Sequence, residues 1–148
     1  MPITTATPDD IPALCELLAL LFAQESEFTP DREAQIRGLT RIVSHADVGM
    51  VFVSKDAGRP VGMVSLLFSV STALGGTVAL LEDMVVAPSH RGSQIGSRLL
   101  AHAVAYAQAK GCRRITLLTD ADNVAAQRFY TRQGFVRSGM VALRLSLA

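Results

Sequence analysis

Cysteine is scarce in this 148-residue chain, with only Cys15 and Cys112 present. They stand far apart and outside any His/Cys cluster at metal-ligand spacing, so both read as reduced core or boundary thiols in a cytoplasmic setting. His45, His90 and His102 likewise lack a metal-binding spacing, and no metal is expected. An excess of either charge is missing too: fourteen Lys and Arg face thirteen Asp and Glu. With no basic stripe interleaved with aromatics, nucleic acid is not expected as a partner. The N-terminus lacks a basic region followed by an apolar stretch and a small-residue cleavage site, the marks of a secretory signal. There is no internal repeat and no low-complexity tract.

Charge is absent altogether from Val61 to Leu81, a stretch long enough to raise the question of a membrane helix. Ser65, Ser69, Ser71, Thr72 and Thr77 lie within it and Gly75-Gly76 interrupts it, so it reads instead as a buried hairpin of two β-rich runs. No membrane partner is expected. The length suits a single domain, 1–148, with a substantial core.

Thr7-Pro8-Asp9-Asp10 carries the start chemistry of a helix, with Ile11, Leu14, Leu17, Leu18, Leu21 and Phe22 as its apolar stripe. Thr29-Pro30 starts a second helix in the same way, with Ile36, Leu39, Ile42 and Val43 on one face. Strands follow over Val48 to Ser54, through the Asp56-Ala57-Gly58 turn into the hairpin, and over Val78 to Val86. Ser97 to Lys110 is a helix stopped by Gly111, Arg113 to Thr119 a strand, Asp120 to Asn123 the cap of a short helix ending at Gly134, and Met140 to Leu147 a last strand. The expectation is an α/β (α+β) fold: a mixed, mostly antiparallel sheet with helices on both faces, in the order α-α-β-β-β-α-β-α-β. The final strand or the hairpin offers a route to a homodimer.

Met84-Val85-Val86 runs through Ala87-Pro88-Ser89-His90 into Arg91-Gly92-Ser93-Gln94-Ile95-Gly96-Ser97. A buried strand, a glycine-containing loop and a helix start are phosphate-binding geometry, because the first amides of a helix lack intrahelical acceptors and carry the positive end of its dipole. A glycine needed only for the turn would look the same. After the next strand comes Asn123-Val124-Ala125-Ala126-Gln127-Arg128-Phe129-Tyr130-Thr131-Arg132-Gln133-Gly134-Phe135.

Together these two stretches resemble the GNAT superfamily of acetyl-CoA-dependent N-acetyltransferases, whose second signature, Asn-x-x-Ala-x-x-Phe-Tyr-x-x-x-Gly-Phe, is matched at every position. The family's loop reads Arg-Gly-x-Gly-x-Gly, and Gln94 replaces its middle glycine. A Cβ there bears on coenzyme affinity more than on fold, and right-handed helical dihedrals are open to glutamine.

The resemblance implies that acetyl-CoA is the acetyl donor. Its diphosphate would meet the amides from Arg91 to Gly96, with Ser97 and Arg98 nearby, and its pantetheine arm would lie along Met84, Val85 and Val86 like an added strand. An amide aimed at the thioester carbonyl, that of Val86, lowers the barrier where negative charge gathers. Asn123 caps its helix and by resemblance also binds the pantetheine arm. Tyr130 resembles the tyrosine that faces the coenzyme sulfur as general acid, with Phe129 a core aromatic. Arg128 and Arg132, one turn apart, face either the coenzyme's 3′-phosphate or solvent.

An amine acceptor must be neutral to attack, and a lysine-like amine is only about one part in two thousand neutral at pH 7, a cost of about 4.6 kcal/mol. Glu82 and Asp83 lie in an otherwise apolar strand and are the candidates to help. Alternation puts Glu82 on one face with Met84 and Val86, and Asp83 on the other with Leu81 and Val85. Glu82 is preferred, acting directly or through water; an ion pair or a cap contact would equally explain it. Glu25, Glu27 and Phe28, between the first two helices, are placed to hold a cationic acceptor. The expected function is acetyl transfer to a primary amine of a small molecule or peptide by direct attack in a ternary complex. The alternative is a catalytically idle acyl-CoA sensor or assembly domain. A nucleotide-binding fold ranks last, since the Gly-x-x-x-x-Gly-Lys pattern is missing.

Overall fold

The computed structural model describes residues 1–24 and 31–147. Glu25, Glu27, Phe28, Thr29 and Pro30 therefore lie outside the described residues. The chain divides into two compact units, Met1–Leu118 and Thr119–Ala148.

The first unit opens on β1 (Ile3–Thr5), too short to be read from the sequence. Thr7 then caps the Pro8–Asp10 turn that leads into α1 (Ile11–Gln24), and its N–H donates to Asp10 Oδ2 at 2.9 Å. The second helix, α2 (Arg32–Ser44), is capped by Asp31, whose Oδ1 accepts from the Ala34 N–H at 3.2 Å. Its start thus falls after the Thr29-Pro30 pair, because an Asx side chain at Asp31 can serve the amide three residues on. Strands β2 (Gly49–Asp56), β3 (Arg59–Ser71) and β4 (Gly76–Val86) follow, then α3 (Ile95–Lys110) and β5 (Ile115–Leu117). The sheet order is β1-β2-β3-β4-β5, antiparallel throughout except for the parallel β4–β5 pair that α3 connects. The uncharged stretch is the β3–β4 hairpin, closed at Ser71↔Gly76 with Gly75 at φ +70.

Each face of the sheet has its own cover. Leu14, Cys15, Leu17 and Leu18 of α1 and Leu39 of α2 cluster with Val51, Val53, Met63 and Val85. On the opposite face Phe52 meets His102 and Tyr106 of α3 edge-on, at centroid distances of 4.7 and 5.2 Å. His102 is thus half-buried against an aromatic ring. Gly62 lets α3 approach, since a Cβ there would stand 3.0 Å from both Ile95 and Leu99 side chains.

The second unit is built on α4 (Val124–Arg132). No strand forms over Met140 to Leu147, contrary to its alternating pattern. Val141, Leu143, Leu145 and Leu147 are 84–95% exposed. Alternation makes a segment fit to pair, but a strand also needs a ladder partner, and this one has none among the described residues.

Candidate active site

Strand β4 changes character at Asp83. Leu66 opposes Leu81 and Ser65 opposes Glu82, yet Met63 opposes Val85, so β4 carries one residue more than β3 across this interval. The extra residue is a β-bulge, and Asp83 within it takes φ +54. Two things follow. Cross-strand partners share a face, so Glu82, opposite Ser65, lies on the same face as Val85, opposite Met63. The expected grouping of Glu82 with Met84 and Val86 is therefore wrong: a bulge shifts the alternation by one. Glu82 is exposed on the α1/α2 face. Ser65 Oγ, directly across the ladder, is buried without a hydrogen-bond partner among the described residues.

The second consequence concerns the other edge. The β4–β5 ladder ends at Leu81↔Leu117, just before the bulge. Beyond it, Ala87 N–H donates to Val61 O on the β3 side at 2.8 Å. Successive backbone groups point to opposite edges, so the N–H and C=O of Val86 face away from β3, toward the edge that β5 has left. The Val86 carbonyl accepts there from Arg91 Nε at 3.2 Å.

The loop from Ala87 to Gln94 is held at several points. His90 N–H donates to Ala87 O at 2.9 Å, and Ser93 Oγ donates to His90 O. The His90 ring stands between two groups, Nε2 donating to Asp56 Oδ2 at 2.8 Å and Nδ1 lying 2.8 Å from Ser89 Oγ. Gly92 and Gln94 both take left-handed conformations, at φ +83 and φ +65. The right-handed geometry expected of Gln94 is thus not adopted; the loop imposes on glutamine the backbone that a glycine would take without cost. Helix α3 begins at Ile95, two residues before the expected Ser97, and its first intrahelical bond runs from Arg98 N–H to Gln94 O at 3.1 Å. The amides of Ile95 and Gly96 therefore project from the helix end. The Arg98 guanidinium reaches the Met1 carbonyl.

In the second unit Asn123 Oδ1 accepts from the Ala126 N–H at 3.1 Å, capping α4 as its sequence suggests. Gln127, at a position no signature residue occupies, adds a brace: its Nε2 donates to Asp120 O at 3.1 Å and Ala121 O at 2.9 Å. The helix ends in a Schellman turn. Gly134, at φ +99, donates to Thr131 O at 3.1 Å, and Phe135 N–H donates to Tyr130 O at 3.0 Å. Tyr130 is flanked by the rings of Phe129 and Phe135, at 5.1 and 5.7 Å between centroids. Burial pushes its phenol up to about 12. Arg128 and Arg132 line a hollow of about 370 Å³ with Val124, Gln127 and Thr131.

A larger hollow, about 650 Å³, lies where α1 begins and the β2–β3 hairpin ends, and includes none of these residues. Four of its five charged residues pair, Lys55 Nζ with Asp10 Oδ1 at 3.0 Å and Arg59 with Glu16 at 2.8 Å, and Asp9 is the fifth. No group of three or more His, Cys, Asp or Glu able to hold a metal occurs among the described residues, and no helix there is long and apolar enough to cross a membrane.

A five-stranded, mostly antiparallel sheet whose fourth strand bulges beyond its ladder with the fifth and runs through a glycine loop into a helix defines a mixed α/β fold that solved acetyltransferase structures share. Residues 11–135 match the acetyltransferase (GNAT) family, and the chain belongs to that family of N-acetyltransferases. It is 28% identical over 140 residues to an uncharacterized N-acetyltransferase of Methanocaldococcus jannaschii, covering 94% of this chain and 62% of that one. Against the aminoalkylphosphonate N-acetyltransferase of Salmonella typhimurium it is 29% identical over 133 residues, 90% of this chain and 83% of the relative. The solved structure of a putative acetyltransferase from Agrobacterium tumefaciens superposes with a TM-score of 0.83 at 26% identity, over 99% of this chain and 100% of the other.

Proposed function

We infer that this chain moves the acetyl group of acetyl-CoA to a primary amine of a small molecule or peptide, by direct attack in a ternary complex. The observation that carries this reading is the bulge at Asp83, just past the end of the β5 ladder, which turns the Val86 backbone to an edge that carries no strand among the described residues. An extended, amide-containing arm can pair along such an edge as a strand would. Bound there, acetyl-CoA supplies an acyl carbon activated as a thioester. Met84, Val85 and Val86 hold the arm, and the Val86 N–H stabilises charge on the carbonyl oxygen, an effect that in comparable donors is worth about 3 kcal/mol. The amides from Arg91 to Gly96 hold the diphosphate, with Ser97 nearby, helped by the positive end of α3. Gln94 takes a left-handed backbone that a glycine would adopt without cost. Asn123 binds the pantetheine arm.

Glu82 accepts the ammonium proton, directly or through a water. By the family resemblance Tyr130 is the proton donor to the departing sulfur. With its phenol near 12, full transfer to a thiolate of ordinary pKa of about 8.5 is uphill by roughly 5 kcal/mol. Tyr130 therefore donates a hydrogen bond through the reaction and yields its proton late. Glu25, Glu27 and Phe28 flank the acceptor. An amine acceptor agrees with the activity named for the Salmonella typhimurium relative. The reaction takes place in the cytoplasm, where the thiols of Cys15 and Cys112 stay reduced.

Calorimetry with acetyl-CoA, followed by thiol release against polyamines, amino acids, aminoalkylphosphonates and peptides, tests the reading. Binding with stoichiometric thiol and N-acetyl product is expected. Binding without turnover across the panel would make the chain an idle sensor, and no heat with any CoA species would remove the reading altogether.

A further inference from the structure

We propose that His90 and Asp56 form a latch that positions the loop holding the coenzyme diphosphate, an inference that rests on the acetyl-CoA reading above. The two residues are 34 apart in sequence and joined at 2.8 Å. Every polar group of His90 has a structural task. Its N–H and carbonyl close the turn on Ala87 and Ser93, Nδ1 meets Ser89, and Nε2 alone leaves the loop to reach another element.

That other element is rigid. Asp56 ends β2 and pairs with Arg59 across a two-residue turn in which Ala57 and Gly58 take φ +51 and +79, the type I′ geometry that matches strand twist. The hairpin end is thereby a fixed post, and the imidazole ties the loop to it. The loop needs such a tie, because its amides are aimed by two left-handed residues, one of them glutamine. A chain segment held in sparsely populated conformations relaxes unless its surroundings over-determine it. The Asp56 side chain is 54% exposed, and a surface pair of this kind adds little to global stability. Its effect therefore falls on the aim of the loop amides.

His90 and Asp56 are positioning residues in this account and touch no reacting atom. The test compares Asp56→Ala and Asp56→Asn with the wild type, reading the Kd for CoA, kcat at saturating acetyl-CoA, and kcat/KM with S-acetylpantetheine, a donor without diphosphate. Asp56→Ala is expected to weaken CoA about tenfold through misaimed amides. It leaves kcat within twofold, the S-acetylpantetheine rate within twofold and the melting temperature unchanged. Asp56→Asn, whose amide oxygen still accepts from Nε2–H, restores most of the affinity. The latch is overturned if Asp56→Ala binds CoA as the wild type does, or if both donors lose activity equally. Failure of the wild type itself to bind CoA would overturn the diphosphate reading first and the latch with it, so the two failures are distinguishable.

Discussion

The Phe135 ring stands edge-on to that of Tyr130, at 71° and 5.7 Å between centroids, while the Phe135 amide donates to the Tyr130 carbonyl at 3.0 Å. One turn thus fixes both the backbone and the ring of the proposed proton donor, and Gly134 at φ +99 is its hinge. Gly134→Ala places a Cβ in a conformation that costs about 1 kcal/mol. The melting temperature should fall by roughly 2–4 °C, and kcat should fall more than the affinity for acetyl-CoA, as thermal scans and initial rates will show.

Tyr130→Phe keeps the ring and loses the hydroxyl. Folding stability at pH 7 should be unchanged, while kcat drops about a hundredfold. The same variant carries a pH signature. Because burial raises the Tyr130 phenol to about 12 from an unfolded value of 10, the native state keeps its proton where the unfolded chain has lost it. Stability contributed by Tyr130 is complete below pH 10 and declines as pH rises through 12. Urea titrations should show that decline in the wild type and a shallower one in Tyr130→Phe.

Asp10 presents the opposite sign. Burial, the largest influence, would raise its carboxyl, but the Thr7 amide, Lys55 and the Thr7 hydroxyl together outweigh it and hold it below 3.8. Its stabilisation is present above the unfolded carboxylate range and is lost as pH falls through the lowered native value. Asp10→Ala removes the cap and strands Lys55, at a cost of about 2 kcal/mol near neutrality. Urea unfolding at pH 7 and pH 3 should show that penalty shrinking in acid.

Gln94→Gly relieves a left-handed side chain. The variant should melt roughly 2–4 °C higher, corresponding to about 1 kcal/mol, with CoA affinity equal or better. A lower melting point would show that the glutamine side chain earns its place by contacts of its own.

The exposed alternation of Val141, Leu143, Leu145 and Leu147 fits it to pair with another strand edge. Sedimentation should show concentration-dependent self-association, weakened when Leu143 and Leu145 are both replaced by lysine.

Local chemistry explains what was legible in the sequence. The Thr7 and Asn123 caps, the Gly111 and Gly134 stops and the strand-loop-helix run from Met84 to Ser97 each depend on residues within a few positions of one another. The two signatures carried the family for the same reason. What escaped notice depends on distant partners. Asp83 looks like any strand residue until β3 shows that β4 has one residue too many. His90 looks like a loop residue until Asp56 arrives from the β2–β3 turn. The last strand failed in the reverse sense: its pattern is local, but a ladder is not.

The bulge at Asp83 couples two properties that would otherwise vary independently. Flattening that bulge at constant chain length would set Val85 opposite Gly62 and Val86 opposite Val61, turning Val85 out of the α1/α2 core and the Val86 backbone toward β3. Core burial downstream of Glu82 and the outward-facing Val86 backbone are therefore inherited together, so selection for a well-packed Val85 also preserves the edge proposed to take the coenzyme arm.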